Sequence, residues 1–321
     1  MLVYANRVKL VKSINEDSEK LIVTLSTFGI ASIVAGKFEN TVKISGINIY
    51  PIKSLKGISL LGSIVENRGL QYDRRWMLTD LEGKFFTQRE VPKMATLSVE
   101  VGNDHLIVEA PETEPLWIPA GSQGSTVRTQ QVTIWNSNCM ASVYPSEVNG
   151  WFSDVLGLPC QLVEMPETTR RAIDPAFAIR ESEDCVSFAD GYPFLLIGEG
   201  SLAELNRRLD DAVPMNRFRP NLVVSGSEPF AEDKWKQIKV GETIFHLVKP
   251  CARCVLTTID QETGIKDGYE PLKTLASFRN IDNKVLFGQN LIAENAGGVV
   301  RVGDAVEVIK YRQGLFPSVR F

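Results

Sequence analysis

Two cysteines separated by two residues are the most chemically suggestive feature of the sequence, in the run Lys249-Pro250-Cys251-Ala252-Arg253-Cys254. A C-x-x-C pair can form half of a zinc or iron–sulfur site, act as a redox dithiol, or contain one functional cysteine beside a structural one. The positive charges of Lys249 and Arg253 favour the thiolate form of a nearby cysteine, which is the form that binds metals. The pair therefore indicates metal or redox chemistry on sulfur, without selecting one of these possibilities.

The rest of the sequence argues against two of them. A structural zinc site takes four cysteine or histidine ligands, but the chain has only five cysteines, those outside the pair are scattered singly, and there are two histidines. A thioredoxin-type pair opens a helix, whereas residues 255–259 after the pair are typical of a strand. Two interpretations of the pair remain open. Either one cysteine is functional and its neighbour structural, or both are buried structural residues. The odd and sparse cysteine content is typical of a reducing compartment.

Three basic clusters, residues 50–57, 72–76 and 216–221, lie where predicted strands begin or end. Lys53, Ser54 and backbone N–H groups of the first cluster could hold an anion. The paired arginines of the third offer planar donors suited to phosphate or to a polar heterocycle. Each cluster alone is equally consistent with a solvated strand end, but together with a reactive cysteine they indicate a pocket for a large anionic cofactor.

The overall charge supports a local rather than a global attraction for anions. The chain has 35 Lys+Arg and 39 Asp+Glu, a net charge of −4, so we expect no nucleic-acid partner. An anionic ligand must then be held by one of the basic clusters. The sequence also lacks a G-x-G-x-x-G motif and a P-loop, so it carries no usual signature of a nucleotide-binding domain.

Short strands dominate the sequence from residue 42 onward, and they would have to position these residues. Helices are predicted at residues 146–156, 201–209 and 271–278, the second because Ser201 and Glu204 match a capping box. The fold class is therefore mostly β with some α (α+β), a barrel or sandwich rather than a doubly wound parallel sheet.

Composition along the chain suggests two β-rich domains. They are residues 42–165 and 185–311, joined by a polar linker, residues 166–184, and followed by a tail, residues 312–321. The N-terminal extension, residues 1–41, contains a mostly apolar stretch at 21–36, shorter than the roughly 20 residues of a membrane span. It is either an ordinary strand or helix packed on the body, or a weak anchor or targeting segment. We expect a cytoplasmic protein, with membrane-associated or mitochondrial location through residues 1–41 as the alternative.

Several segments, spread in order over about residues 42–309, resemble the MOSC family, which is named for the C-terminal domain of molybdenum cofactor sulfurases. The likeness is greatest to the branch that includes the mitochondrial amidoxime-reducing components and their bacterial relatives. The resembling segments are YPIKSLKG (50–57), YDRRW (72–76), PFLLIGEGSLAELNRRL (193–209), NRFRPNLVVSG (216–226), KPCARCVLTTIDQETG (249–264), LFGQN (286–290) and VRVGDAVEV (300–308).

The resemblance implies an N-terminal MOSC β-barrel domain followed by a MOSC β-barrel domain, with a molybdenum cofactor (Mo-molybdopterin) between them. By match to the motifs, Cys254 is the implied molybdenum ligand, and Asp190 is an implied catalytic residue beside the metal. The implied cofactor-binding residues are Lys53, Ser54, Arg74, Gly191, Tyr192, Arg219, Asn221, Ala252 and Arg253. The sequence departs from animal members at Gly191 and Tyr192, where they often have small residues, and at Asn290, where they have an aromatic.

The resemblance further implies an oxidoreductase that reduces N-hydroxylated small molecules such as amidoximes and hydroxylamines. Its electrons are expected from a separate protein, cytochrome b5-like or ferredoxin-like with a reductase, because the sequence shows no cysteine-rich ferredoxin-like segment. The alternative is a non-enzymatic molybdenum-cofactor carrier or sulfur-transfer module. A third hypothesis is a structural zinc protein, for which elemental analysis of the purified chain should find zinc instead of molybdenum.

Overall fold

A computed structural model describes residues 41–119, 128–181 and 183–314 of the chain. The predicted N-terminal extension lies outside the described residues apart from its last residue, and so do both interpretations of residues 21–36. Most of the predicted tail, from residue 315 onward, lies outside them as well. In the described part of the chain, no helix is both long enough and apolar enough to cross a membrane.

Strands and short helices alternate with turns along the described residues. The strands are β1 Lys43–Ile49, β2 Ile58–Leu60, β3 Gly62–Glu66, β4 Gly69–Leu70, β5 Trp76–Thr79, β6 Ser98–Val101, β7 His105–Glu109, β8 Leu116–Pro119, β9 Thr129–Ile134, β10 Ser137–Val143, β11 Gln161–Glu164, β12 Phe194–Gly198, β13 Leu222–Ser225, β14 Trp235–Val240, β15 Thr243–Arg253, β16 Asn280–Ile281, β17 Lys284–Ala293, β18 Val299–Arg301 and β19 Val306–Tyr311. The α-helices are α1 Ser146–Leu156, α2 Glu199–Asn206 and α3 Leu272–Phe278. The prediction of a mostly β fold with some α is confirmed.

The largest sheet contains nine strands in the order β19-β14-β15-β17-β12-β13-β1-β2, with β16 added to β17. Its neighbouring strands are antiparallel except β12 and β13, which run parallel. The first strand, β1, buries Ile44, Ile47 and Ile49 and pairs with β13 at Ile47 and Leu222. This sheet therefore combines strands from both predicted domains, whose boundaries stay a prediction.

The described residues form three smaller sheets as well, in the orders β5-β11-β10-β9, β18-β3-β4 and β6-β7-β8. Helix α1 packs on β11 and buries Val148, Phe152 and Val155, which lie on one face because they are four and three residues apart. The helix ends at Gly157, whose φ of 72° favours glycine. The helix prediction for residues 146–156 is confirmed.

The predicted start of the second helix is wrong. Helix α2 begins at Glu199, and Ser201 lies inside it. The Ser201 hydroxyl donates to the buried carboxylate of Glu232 at 2.7 Å instead of capping the helix. Glu204 binds Arg207 and Arg208 instead of completing a capping box. A long-range buried partner for the hydroxyl has therefore replaced the local one that the motif suggested.

The predicted strand at residues 255–259 is also wrong. The segment forms a 3-10 helix, Val255–Thr258. The hydroxyl of Thr257 donates to the carbonyl of Cys254 at 3.0 Å, and that of Thr258 donates to the carbonyl of Val255 at 2.8 Å. Threonine hydroxyls that bond to the backbone three residues earlier compete with strand pairing, so the run of β-branched residues misled the strand prediction.

Candidate active site

One pocket, with a cavity volume of about 150 Å³, lies beside the ends of β1, β12, β13 and β15. Its lining includes every residue that the sequence predicted for the site: Lys53, Ser54, Arg74, Asp190, Gly191, Tyr192, Arg219, Asn221, Ala252, Arg253 and Cys254. These residues are up to about two hundred positions apart in sequence, so their proximity comes from the sheet order and not from any local motif.

The turns that present three of these residues have an unusual backbone. Ser54, Arg74 and Arg219 have φ values of 70°, 49° and 52°, in the left-handed region that non-glycine residues rarely adopt. A hydrogen bond joins the turn that carries Arg74 to the segment that leads into the turn of Ser54: the amide of Arg74 donates to the carbonyl of Tyr50 at 2.9 Å. Backbone strain of this kind is concentrated at functional sites, where the surrounding structure maintains it.

The ring of Tyr50 organises two of the arginines. The guanidinium carbons of Arg74 and Arg219 each lie 4.1 Å from its centroid. The buried carboxylate of Asp73 binds Arg74 through both oxygens, at 2.9 and 2.8 Å, and accepts from the Tyr50 amide. Burial raises the pKa of Asp73 and lowers the pKa of Arg219 to about 10. Two cations close together in a protein interior are therefore only partly neutralised by protein groups.

Several donors that line the pocket have no hydrogen-bond partner among the described residues. They are Nη2 of Arg219, Nη2 of Arg253, Nε of Arg217 and the hydroxyl of Tyr192, all buried. The other nitrogens of Arg253 are held by the carbonyls of Phe287, at 2.7 Å, and Phe218, at 2.9 Å. A buried donor without a partner costs about 1–3 kcal/mol, so these groups fit a ligand with several acceptor oxygens, such as a phosphate-bearing cofactor.

Elsewhere in the pocket lining, the ammonium group of Lys53 donates to Oδ1 of Asp190 at 2.5 Å and to the carbonyl of Phe188 at 2.8 Å. Burial lowers the pKa of Lys53 to about 8, although Asp190 partly opposes this effect. Desolvation would raise the pKa of Asp190, but the charge and hydrogen bond of Lys53 hold it well below its ordinary value. The pair thus places an ionised carboxylate beside a cation that can lose its proton in mildly alkaline solution.

The two cysteines of the C-x-x-C pair differ in their surroundings. Both thiols are free, but Cys254 is exposed, whereas Cys251 is half-buried and its pKa is raised by burial. Nη1 of Arg89 lies 3.8 Å from the sulfur of Cys254. In the described part of the chain, no group of three or more His, Cys, Asp or Glu side chains is arranged to hold a metal ion. The geometry therefore makes Cys254 the accessible thiol of the pocket.

Sequence reasoning missed Thr87 and Arg89, which line the pocket, and Trp135, whose indole N–H donates to Asp190 at 3.2 Å. A single arginine two residues after a threonine carries no pattern that distinguishes it from surface residues. The signal for Trp135 was present, since a tryptophan directly before Asn136 and Ser137, two residues that are common in turns, is unusual at such a position.

Comparisons with known proteins match two families of domain along the chain. The family model of the MOSC N-terminal beta barrel domain matches residues 41–159, and that of the MOSC domain matches residues 183–307. The chain is 34% identical over 279 residues to mitochondrial amidoxime-reducing component 1 of Mus musculus, covering 81% of this chain and 80% of that protein. It is 35% identical over 280 residues to mitochondrial amidoxime reducing component 2 of Rattus norvegicus, covering 82% of each.

A second kind of relative is longer than this chain. Over 264 residues the chain is 35% identical to the molybdenum cofactor sulfurase of Arabidopsis thaliana, covering 76% of this chain but 32% of that protein. The similarity to this relative therefore concerns only a part of it.

Proposed function

The chain belongs to the MOSC family, and from that premise we propose that it is a molybdenum-cofactor-dependent reductase of N-hydroxylated compounds such as amidoximes and hydroxylamines. One observation carries the proposal: the accessible thiol of Cys254 shares a pocket with buried arginine nitrogens that have no partner among the described residues. A thiolate is a suitable ligand for a soft metal centre, and the arginines suit the phosphate of a pterin cofactor.

The proposed cofactor site uses two groups of residues. Cys254 is the proposed metal ligand, and nine further lining residues would bind the organic part: Lys53, Ser54, Arg74, Gly191, Tyr192, Arg219, Asn221, Ala252 and Arg253. The unpaired Nη2 atoms of Arg219 and Arg253 would each gain an acceptor when the cofactor is bound. The cofactor would supply a two-electron redox centre, while the protein supplies binding, orientation and electrostatics.

The proposed reaction converts an amidoxime to an amidine. One N–O bond breaks, two electrons and two protons are consumed, and one water is released. Lys53 and Trp135 both donate to Oδ1 of Asp190, so within the described residues Oδ2 is left to accept an N–H or O–H of the substrate. Lys53, with a pKa of about 8, holds a proton near neutral pH that it can release at modest cost, which suits a proton donor.

We place the supply of electrons on a separate protein, cytochrome b5-like or ferredoxin-like with a reductase. The two relatives named as mitochondrial components support a substrate of the N-hydroxylated class. The mitochondrial location in their names describes those relatives. A cytoplasmic location for this chain stays a prediction.

The test combines elemental analysis with turnover. The purified chain should contain molybdenum and the pterin, and the loaded protein should convert benzamidoxime to benzamidine with reduced viologen as electron source. Zinc in place of molybdenum would support the structural zinc protein and contradict the proposal.

A second candidate function is a molybdenum-cofactor carrier or sulfur-transfer module. The exposure of the Cys254 thiol favours it, because sulfur transfer needs an accessible sulfur, and one relative is named a molybdenum cofactor sulfurase. Fully loaded protein that turns over neither an amidoxime nor a hydroxylamine would favour this second function over the reductase.

A further inference from the structure

The tip of one hairpin beside the pocket has a strained aromatic residue. Strands β9 and β10 are joined by a two-residue loop, Trp135 and Asn136, and Trp135 has a φ of 55°. Glycine, asparagine and aspartate are the usual residues in this left-handed conformation. A tryptophan that adopts it, and that leaves 46% of its surface exposed, is costly for the fold and therefore suggests a role in function.

The indole ring of Trp135 contacts the pocket on two sides. Its N–H donates to Oδ1 of Asp190 at 3.2 Å, and the guanidinium carbon of Arg89 lies 4.3 Å from its ring centroid. Phe85 packs against the ring with its edge, at a centroid distance of 5.2 Å and an angle of 65°. The ring is thus held in one orientation between a carboxylate and a cation, with part of its surface still open.

Arg89 extends this surface to the sulfur. Its Nη1 lies 3.8 Å from Sγ of Cys254, and its Nε donates to the hydroxyl of Thr87 at 3.3 Å. Trp135 and Arg89 therefore form a continuous surface, termed the Trp135–Arg89 shelf, that reaches from Asp190 to Cys254.

A buried arginine positions the shelf relative to Asp190. Nε of Arg171 donates to the hydroxyl of Ser137, two residues after Trp135, at 2.7 Å. Its other nitrogens donate to the carbonyls of Ser187 at 2.8 Å, Ala189 at 2.5 Å and Asp190 at 2.8 Å. The hairpin and the segment that carries Asp190 are therefore fastened to the same guanidinium group.

We propose that the Trp135–Arg89 shelf is a specificity-determining surface that selects N-hydroxylated substrates whose reacting group is conjugated to an aromatic ring. This inference rests on the proposed reductase function and deepens it. An aromatic ring gains from stacking on an indole and from the positive charge of a guanidinium group, whereas a saturated ring of similar size gains only from burial. A ring on the shelf would hold the attached amidoxime between Asp190 and Cys254.

The test compares two substrates that differ only in the ring, benzamidoxime and cyclohexanecarboxamidoxime, with cofactor-loaded protein. Wild-type protein should have the lower KM for benzamidoxime. Both Trp135→Leu and Arg89→Gln should reduce that preference by about 3–10-fold through KM. Trp117→Leu, at an exposed tryptophan on β8, is the matched control and should keep the wild-type preference.

A binding measurement without turnover separates this inference from the proposed function. Ligand-observed NMR titration of the loaded protein should show tighter binding of benzamide than of cyclohexanecarboxamide, and Trp135→Leu should remove the difference. A second outcome is that wild-type protein reduces neither amidoxime and yet binds benzamide more tightly, with Trp135→Leu removing the difference. That result would refute the proposed function but support selection of aromatic rings by the shelf. Equal binding of the two amides by wild-type protein, or a preference that survives both substitutions, would overturn the shelf.

Discussion

Oδ1 of Asp190 accepts hydrogen bonds both from the Lys53 ammonium, at 2.5 Å, and from the Trp135 indole, at 3.2 Å. The Lys53 side chain is only 7% exposed, so the cation is held in the pocket wall mainly by this carboxylate and by the carbonyl of Phe188. Burial lowers the pKa of Lys53 from 10.5 to about 8. The positive charge of this wall therefore depends on pH in the range where enzymes are usually assayed.

Anion binding to the cofactor-free protein should weaken as the pH rises through about 8. Lys53 is protonated below that pH and neutral above it, so a bound anion loses a charge-assisted hydrogen bond worth about 1.5–3 kcal/mol, roughly tenfold or more in affinity. Sulfate is a suitable probe because its own charge is constant between pH 6.5 and about 9.5. Calorimetric titration should show the decrease in wild-type protein, while Lys53→Arg, which keeps its charge, should show a flat profile. A wild-type profile as flat as that of the variant would contradict this role.

The two cysteines should respond differently to removal of the thiol. Cys254→Ala should abolish amidoxime reduction because it removes the proposed metal ligand, and circular dichroism should show an intact fold because the side chain is exposed. Cys251→Ala is the matched control and should keep most of the activity, since alanine fills much of the space of a small half-buried thiol. Full activity in Cys254→Ala would refute the assignment of the metal ligand.

Much of the site could be predicted from sequence because its polar and basic residues lie where strand-like segments begin or end. Lys53 and Ser54 come after Pro51, which cannot donate to a strand ladder, and Arg219 comes before the apolar strand β13. Residues at the ends of neighbouring strands converge on one edge of a sheet. Which strands are neighbours could not be predicted, since alternation in β1 indicates its buried face but not its pairing with β13.

The residues that sequence reasoning missed depend on contacts between distant segments. Arg89 reaches Cys254 although 165 positions separate them in sequence, and Trp135 reaches Asp190 across 55 positions. Neither belongs to a cluster with a charge or spacing pattern. The wrong strand prediction at residues 255–259 has a local cause, because the hydroxyls of Thr257 and Thr258 donate to backbone carbonyls, and strand propensity does not take such bonds into account.

Two buried glutamines should position Arg219. The side-chain amides of Gln88 and Gln261 bond to each other in both directions, at 3.1 and 3.0 Å. Gln261 also accepts from Nη1 of Arg219 at 3.2 Å. Gln261→Leu leaves Gln88 and Arg219 without this partner, so it should lower the free energy of unfolding by about 1–3 kcal/mol and weaken sulfate binding.

A matched variant separates the two effects at this position. Gln261→Glu still accepts from Nε2 of Gln88 and Nη1 of Arg219, but it loses the bonds that Nε2 of Gln261 donates to Oε1 of Gln88 and to the carbonyl of Ile259. Because Gln261→Leu loses all four bonds, Gln261→Glu should lower the free energy of unfolding by less than Gln261→Leu does. It should nevertheless weaken sulfate binding, because the new charge competes with the anion for Arg219. Denaturant unfolding and sulfate titration measure the two effects. Sulfate binding equal to wild type in both variants would show that Gln261 does not position Arg219 for anions.

Gly288 should be required for the close approach of β17 to its neighbours. It has a φ of 79°, and a Cβ built on it would lie 2.7 Å from Cγ1 of Ile197, 2.8 Å from the carbonyl of Leu196 and 3.3 Å from Nη2 of Arg253. Gly288→Ala should therefore combine backbone strain with overpacking, and lower the free energy of unfolding by about 2–4 kcal/mol. It should also weaken sulfate binding, because it crowds one of the unpaired arginine nitrogens.

The control for Gly288 is a glycine with a similar backbone and free space. Gly268 has a φ of 64°, and no atom lies within 4 Å of a Cβ built there. Gly268→Ala should therefore lower the free energy of unfolding only by the backbone term, about 1 kcal/mol, with unchanged sulfate binding. The difference between the two variants in denaturant unfolding isolates the steric contribution. Equal losses of stability at the two positions would mean that β17 can shift away from Ile197 at little cost, and the predicted effect on Arg253 would then be absent as well.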